Sequence, residues 1–88
     1  MLIQFDAAKN HTNIVKYGLS LQLAEQLEWD TLWAQADVRQ NYGELRLIGF
    51  AYIELRLFCV VFVDRGDVRR IISLRKANLR EVNGYAQA

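Results

Sequence analysis

The sequence predicts a small α+β domain that spans residues 1–88, with an antiparallel β-sheet covered by helices. Three observations lead to this prediction. Apolar, β-branched runs cluster in the second half of the chain, capping residues flank helix-like segments, and a turn that contains glycine separates two of the apolar runs. Because the chain has 88 residues, 52% of them hydrophobic, it can bury one core but not two.

The predicted elements follow from apolar periodicity and from helix and strand boundaries. In chain order they are a strand at residues 2–5, helices at about 7–17 and 21–28, strands at about 32–36, 44–51, 52–63 and 68–74, and a helix at about 79–87. A tight turn near residues 50–53 is expected to join the two middle strands. The predicted core comprises Phe5, Leu23, Leu27, Val61, Phe62 and Ile72.

Capping residues mark the ends of the predicted helices. Asp6 and Ser20 are typical N-caps for the first two helices, and Gly18 can end the first one in the left-handed conformation. Asn78 is followed three residues later by Glu81, which is the spacing of a capping box. In that motif the amide and the carboxylate bind free N–H groups at the start of the last helix.

The composition argues against several classes of function. Cys59 is the only cysteine and lies in an apolar run, so a buried, inert thiol in a reducing compartment is expected. His11 is the only histidine, and neither a P-loop nor a dinucleotide fingerprint is present, so no metal or cofactor is expected. No apolar run reaches the roughly 20 residues that cross a bilayer, which predicts a cytoplasmic protein without membrane contact.

The net charge of +1 conceals a separation of charge along the chain. Residues 1–64 carry five basic and eight acidic side chains, whereas residues 65–88 carry six basic and two acidic ones. The basic cluster follows a predicted hairpin turn at 64–67, in which Gly66 can take a positive φ. Such a cluster is typical of an anion or nucleic-acid site, and a solvated charged strand is an equally good interpretation.

Several short motifs, in their order along the chain, resemble the BrnT toxin family. They are Phe5-Asp6 with Lys9, Asn13, Lys16 and Gly18-Leu19; Gly43-Glu44 with Arg46, Ile48 and Gly49; Arg65-Gly66; and Arg70-Ile71-Ile72-Ser73 with Arg75-Lys76-Ala77, Arg80-Glu81 and Tyr85. The resemblance implies a RelE-like fold and a ribonuclease toxin of a bacterial type II toxin-antitoxin system, which inhibits translation by cleaving RNA. It also implies neutralisation by a BrnA-type ribbon-helix-helix antitoxin. The antitoxin would bind operator DNA, and the toxin would be linked to that DNA only through the antitoxin.

One departure from the family pattern concerns its Lys-His-Gly motif. This chain has Lys16-Tyr17-Gly18, so a phenol with an ordinary pKa of about 10 replaces an imidazole that titrates near neutrality. If the histidine takes part in the chemistry of the relatives, this protein is expected to be slow or inactive. If the histidine only caps and packs the helix end, tyrosine is a tolerable substitute.

Metal-independent RNA cleavage needs a base for the 2′-hydroxyl, cations that stabilise the phosphorane and a proton for the leaving oxygen. Arginine suits the second role because its planar fork binds two phosphate oxygens, whereas the proton transfers fall to lysine, tyrosine or glutamate. The residues expected to act in catalysis are Arg75, Arg70, Lys16, Arg80 and Tyr17. The residues expected to bind RNA are Lys9, Arg46, Arg69 and Lys76.

Strand alternation divides the candidate residues of the last strand between two faces. Strand alternation places Arg69, Ile71, Ser73 and Arg75 on one face and Arg70, Ile72 and Leu74 on the other. Arg70 and Arg75 can then serve one site only if the strand bulges or Arg70 reaches around the sheet edge. Lys9, Asn13 and Lys16 form a polar stripe at helical spacing, for which a solvent-exposed face is the simpler interpretation.

Two other functions are compatible with this pattern. The first is a catalytically degenerate module of the same fold, which holds RNA or a partner protein without cutting it. The second is a structural domain whose arginines form surface ion pairs with Asp64, Asp67 and Glu81. The predicted sheet also has an unpaired edge, through which two copies of the chain could pair to form a homodimer.

Overall fold

One five-stranded sheet forms the centre of the fold. The computed structural model describes the whole chain, Met1–Ala88. The strands are β1 (Leu2–Phe5), β2 (Trp33–Ala36), β3 (Leu47–Ile53), β4 (Arg56–Arg65) and β5 (Val68–Lys76), the α-helices are α1 (Ala7–Tyr17) and α2 (Leu79–Ala86), and 3₁₀ helices span Leu21–Gln26 and Trp29–Thr31. No helix is long and apolar enough to cross a membrane.

The sheet is mixed, with the spatial order β1-β5-β4-β3-β2. Strands β2 to β5 form an antiparallel meander, as expected for strands that follow one another in sequence. The N-terminal strand β1 fills the remaining edge and pairs with β5 in the parallel direction. The predicted α+β class is confirmed, and the parallel β1 is the one feature that the antiparallel expectation did not include.

The first and the last of the three predicted helices are α-helical and begin at the predicted caps. The Asp6 carboxylate accepts a hydrogen bond from the Ala8 N–H at 2.6 Å, and Gly18 ends α1 with a φ of 72°. In α2, Asn78 and Glu81 each accept a 2.9 Å hydrogen bond from the other residue's backbone N–H. The predicted capping box is therefore confirmed.

The second predicted helix, residues 21–28, is wrong in type and length. The chain forms a 3₁₀ helix there that ends at Gln26, although Ser20 does cap it by accepting from the Gln22 N–H at 3.2 Å. The Glu28 N–H donates to the carbonyl oxygen of Tyr52 in β3 at 2.8 Å. This bond to the sheet removes Glu28 from helical pairing, so the segment stays short, as is usual for 3₁₀ helices.

The turn predicted near residues 50–53 lies further along the chain. Strand β3 continues to Ile53, and the turn is formed by Glu54, with a φ of 54°, and by Leu55, whose side chain is 98% exposed. Neither a glycine nor an asparagine marks the turn, and apolar and charged residues alternate through it from Ile53 to Leu57. The alternation of side chains therefore could not locate the turn.

A β-bulge at Ile72 changes which side chains of β5 share a face. Val61 is paired with Ser73 and Phe62 with Ile71, so Ile72 has no partner in β4. Ile71 and Leu74 consequently both lie in the core, and the strict alternation predicted for this strand is wrong. Past the bulge, Ser73 and Arg75 lie on the same face as Arg70, opposite the core cluster.

The core cluster packs the 3₁₀ helix at 21–26 against one face of the sheet. Of the predicted core residues, Leu27, Val61 and Phe62 are buried, while Phe5 and Leu23 are half-buried against the cluster. The prediction was wrong for Ile72, which the bulge leaves half-buried outside the cluster. Its neighbour in sequence, Ile71, occupies the core position and is fully buried.

Gly49 lies in β3 where the neighbouring chain approaches closely. A Cβ atom there would lie 2.8 Å from Leu32 Cδ1, 2.9 Å from Ala34 Cβ and 3.0 Å from the Trp33 carbonyl oxygen. Gly49→Ala is therefore expected to lower the free energy of unfolding by about 1–3 kcal/mol. Gly84→Ala in α2, where a Cβ meets nothing within 4 Å, is expected to raise it by about 0.5–1 kcal/mol. Urea denaturation measures both changes, and equal stability of the two variants would contradict this account.

Candidate functional site

A groove of about 480 Å³ lies between α1 and β5. Three cationic side chains line it, and no acidic side chain does. The complete lining is Ala8, Lys9, Thr12, Asn13, Lys16, Tyr17, Arg39, Ile72 and Ser73. Of the predicted site residues, the structure thus brings Lys9, Lys16 and Tyr17 into one groove.

Asn13 fixes α1 against the sheet. Strand β1 pairs with β5 only as far as Ile71, which leaves the edge of β5 open beyond that residue. There, the Asn13 side chain accepts from the Leu74 N–H at 3.0 Å and donates to the Leu74 carbonyl at 2.8 Å. The solvent-exposed interpretation of the polar stripe is wrong for Asn13, which is buried, while Lys9 and Lys16 are exposed at the groove.

Arg75 lies beside the groove rather than in its lining. Its two terminal nitrogens donate to the two Glu81 carboxylate oxygens at 2.7 and 2.8 Å. These hydrogen bonds raise the pKa of Arg75 above its ordinary value despite partial burial, and they hold the pKa of Glu81 below its usual range. Arg75 is therefore held by Glu81 beside the groove that Tyr17 lines.

The bonds of Arg75 leave part of its guanidinium free. Nη1 donates to Glu81 and, at 3.3 Å, to the Lys76 carbonyl, and Nη2 donates once to Glu81. The Nε–H and the second Nη2–H of Arg75 point in the same direction, and neither takes part in these hydrogen bonds. A guanidinium held in this way can still present two parallel donors to an anion.

Arg39 was not identified from the sequence, because residues 37–46 contain no regular periodicity. Its Nε and Nη2 donate to the Asp37 carboxylate at 2.8 and 2.7 Å, and its backbone N–H donates at 3.2 Å. The hydrogen bonds from Arg39 lower the pKa of Asp37 to about 2, although burial opposes the shift. The two-residue spacing of Asp37 and Arg39 after a strand was the only signal available.

Arg69 lies on the opposite face of the sheet from Arg75. Its guanidinium donates to the Asp64 carboxylate at 2.8 Å and lies 4.5 Å from the ring centroids of both Trp29 and Phe62. These contacts place Arg69 over the core cluster. Of the adjacent arginines, Arg70 is the one that shares a face with Ser73 and Arg75.

The other predicted site residues do not line the groove. Arg70 forms an ion pair with Asp6 at 3.8 Å, and Arg46 stacks on the Tyr42 ring at 3.7 Å. Lys76 and Arg80 are exposed, and neither lines the groove. The site therefore consists of a groove with cations from α1 and Arg39, next to the Arg75–Glu81 pair.

Neither a reactive thiol nor a metal-binding cluster lies in this region. Cys59 is buried opposite Arg75 in β4, and burial raises the pKa of its thiol to about 11. The thiol is therefore protonated at neutral pH, as an inert core cysteine should be. The His, Cys, Asp and Glu side chains form no group of three or more that could hold a metal ion.

The comparison with known families bears directly on this site. A family model described as "Ribonuclease toxin, BrnT, of type II toxin-antitoxin system" matches residues 5–81. The chain belongs to the BrnT toxin family. The match extends from Phe5 at the end of β1 to Glu81 in α2, and so it includes α1 and β5 on the two sides of the groove. Membership of the BrnT family implies an antitoxin partner. A search of curated proteins gave no match to this chain.

Proposed function

We propose that this BrnT-family protein is an endoribonuclease that cleaves RNA in the groove between α1 and β5 without a metal ion, and that it thereby inhibits translation. The proposal rests on the charge of the groove, which is lined by Lys9, Lys16 and Arg39 and by no carboxylate. A phosphate backbone is attracted to such a surface, and the attraction weakens as salt is added.

The 2′-hydroxyl of the RNA is the nucleophile in this proposal. Its oxygen attacks the adjacent phosphorus, the bond from phosphorus to the 5′-oxygen breaks, and a 2′,3′-cyclic phosphate and a 5′-hydroxyl result. Charge on the phosphorane oxygens increases in the transition state. The free donors of Arg75 are suited to bind it, because Glu81 already holds the guanidinium in place and little reorganisation is needed.

The proton transfers are assigned to Lys16 and Tyr17, one of which takes the proton of the 2′-hydroxyl while the other gives a proton to the leaving 5′-oxygen. With Lys9, they are the groove-lining side chains that can lose a proton, since arginine stays charged in proteins. Lys16 Nζ lies 5.3 Å from the centroid of the Tyr17 ring, so both groups can approach one bound nucleotide. Arg70 and Arg80 would support the site by attracting the RNA rather than by contact with the reacting phosphate.

A second candidate function is a catalytically degenerate module that binds RNA or a protein. Tyr17 favours it, because a tyrosine stands in the groove where the family resemblance gives histidine. We expect the wild type to cleave RNA and Tyr17→His to cleave it faster near neutral pH, because imidazole exchanges protons readily there. Cleavage by Tyr17→His but not by the wild type would establish the degenerate module instead.

The antitoxin is proposed to be a BrnA-type ribbon-helix-helix protein that covers the groove and links the toxin to operator DNA. An acidic segment would complement the groove cations, and electrostatic steering would make association fast and salt-sensitive. We expect this protein and a ribbon-helix-helix protein encoded beside its gene to elute as one complex after co-expression. Separate elution at low salt would contradict the proposed partner.

Induced expression in a bacterium tests the proposed function. We expect growth to stop when the protein is expressed alone and to continue when the antitoxin gene is expressed with it. Mapping of RNA ends should show new cleavage sites only in the first culture. Arrested growth with intact RNA would mean that the protein acts by another route.

A further inference from the structure

Arg39 is the only groove-lining residue that lies outside α1 and β5. It belongs to the irregular segment between β2 and β3, which brings a third part of the chain to the groove. We propose that Arg39, held by the buried carboxylate of Asp37, binds a phosphate of the RNA and forms a wall of the binding groove together with α1. This inference rests on the proposed ribonuclease function.

The burial of Asp37 needs an explanation. Its side chain is only 1% exposed, and a carboxylate is costly to remove from water unless hydrogen bonds replace the lost hydration. Three donors of Arg39 and the Tyr42 hydroxyl, at 3.3 Å, supply those bonds. Because Arg39 is 65% exposed, its ion pair with Asp37 adds little net stability to the fold. The pair is therefore better explained by the position that it gives to Arg39.

Asp37 is itself fixed to the sheet. Its backbone N–H donates to the Arg46 carbonyl at 2.7 Å, which extends the pairing of β2 and β3 by one bond. The Arg46 guanidinium stacks on the Tyr42 ring at 3.7 Å, and Tyr42 in turn bonds Asp37. Arg39 thus lies two residues after Asp37, which is hydrogen-bonded to the sheet. The contacts among Asp37, Tyr42 and Arg46 hold it in place.

The donors that remain on Arg39 suit a phosphate. Asp37 occupies the Nε–H and one Nη2–H, so both Nη1–H bonds and the second Nη2–H are left. The Arg39 side chain is 65% exposed, and its other end is open to the groove. Because the Arg39 side chain is already ordered in the free protein, its two parallel donors are preorganised to bind a phosphate.

A binding experiment with uncleavable RNA separates this inference from catalysis. The probe is a short, fluorescently labelled 2′-O-methyl RNA, whose anisotropy is measured against protein concentration over a range of salt. Arg39→Gln is expected to weaken binding about tenfold, as for the loss of one charged hydrogen-bonding contact. It should also reduce the slope of log affinity against log salt by about 0.7, the value for one phosphate contact on a single strand.

Two further variants distinguish charge from position. Arg39→Lys should keep the salt slope but recover only part of the affinity, because a point charge cannot reproduce two parallel donors. Asp37→Asn should also keep the slope, since Arg39 retains its charge, and should weaken binding several-fold because Arg39 is no longer held. A purely structural role of the pair would change thermal stability without these changes in binding.

The matched control is Arg56→Gln, which removes the same charge at the exposed start of β4, outside the groove. Its affinity should stay within about twofold of the wild type. If Arg39→Gln unfolds because Asp37 is left unpaired, the double variant Asp37→Asn with Arg39→Gln replaces it, with the same expected loss. Equal affinities of the Arg39 and Arg56 variants would overturn the inference alone. A wild type that does not bind the probe would overturn the proposed function as well.

Discussion

Phe62→Ala is expected to lower the free energy of unfolding by about 3–5 kcal/mol. Phe62 is fully buried at the centre of β4 and meets the Trp29 ring edge-to-face, with the centroids 5.6 Å apart. Its ring also supports the guanidinium of Arg69, so truncation removes apolar burial and a cation contact together. A domain of this size has a total stability of only about 5–15 kcal/mol, so the variant should be close to unfolding at physiological temperature.

Urea denaturation followed by circular dichroism measures the effect of Phe62→Ala. Leu55→Ala is the control, because Leu55 is also a large apolar residue but is 98% exposed at the β3–β4 turn. The control should change stability by less than about 0.5 kcal/mol. A small loss for Phe62→Ala, similar to that of the control, would show that the core is not organised around β4.

Arg75→Ala is expected to lower RNA cleavage by about a hundredfold or more, the usual effect of removing one donor that stabilises transition-state charge. Two features of Arg75 support this expectation. Its fork is fixed by Glu81, and it shares a face of β5 with Ser73 of the groove. Arg75→Lys should recover only part of the rate, because a single ammonium cannot present two donors in one plane.

Cleavage by the Arg75 variants must be compared at equal folded fractions. Arg75→Ala leaves Glu81 without its partner at the start of α2, so a modest decrease in thermal stability is expected. Thermal melts of each variant measure this decrease, and Arg56→Ala provides a charge-matched control away from the groove. If folded Arg75→Ala cleaves RNA as fast as the wild type, Arg75 does not stabilise the transition state.

Local signals in the sequence were sufficient for the two α-helices and for the last hairpin. The Asp6 cap and the Asn78–Glu81 capping box act within a few residues, so their side chains can be read from spacing alone. The turn at Gly66 is similar, because its φ of 58° requires a residue that tolerates the left-handed region. The family motifs further indicated Lys9, Lys16 and Tyr17, which the fold brings together at the groove.

Features that depend on distant partners could not be predicted. In a regular strand, two residues that are three positions apart point to opposite faces. Ile71 and Leu74 nevertheless both lie in the core, and the bulge at Ile72 allows this. Asn13 binds the backbone of Leu74, which is 61 residues away in sequence. Arg39 reaches the groove only through the sheet bond and side-chain contacts of its irregular segment. The sequence indicated most of the cations of the site, and long-range packing decides which of them meet.

The most direct test of the proposed chemistry is cleavage of a single-stranded RNA by the purified wild-type protein in the presence of excess EDTA. A matched 2′-O-methyl RNA of the same sequence is incubated in parallel, because it lacks the nucleophilic hydroxyl but carries the same phosphates. We expect the RNA to be cut, with 2′,3′-cyclic phosphate ends, and the 2′-O-methyl RNA to stay intact. Cleavage that disappears with EDTA, or that cuts both substrates alike, would contradict a metal-independent ribonuclease site in this groove.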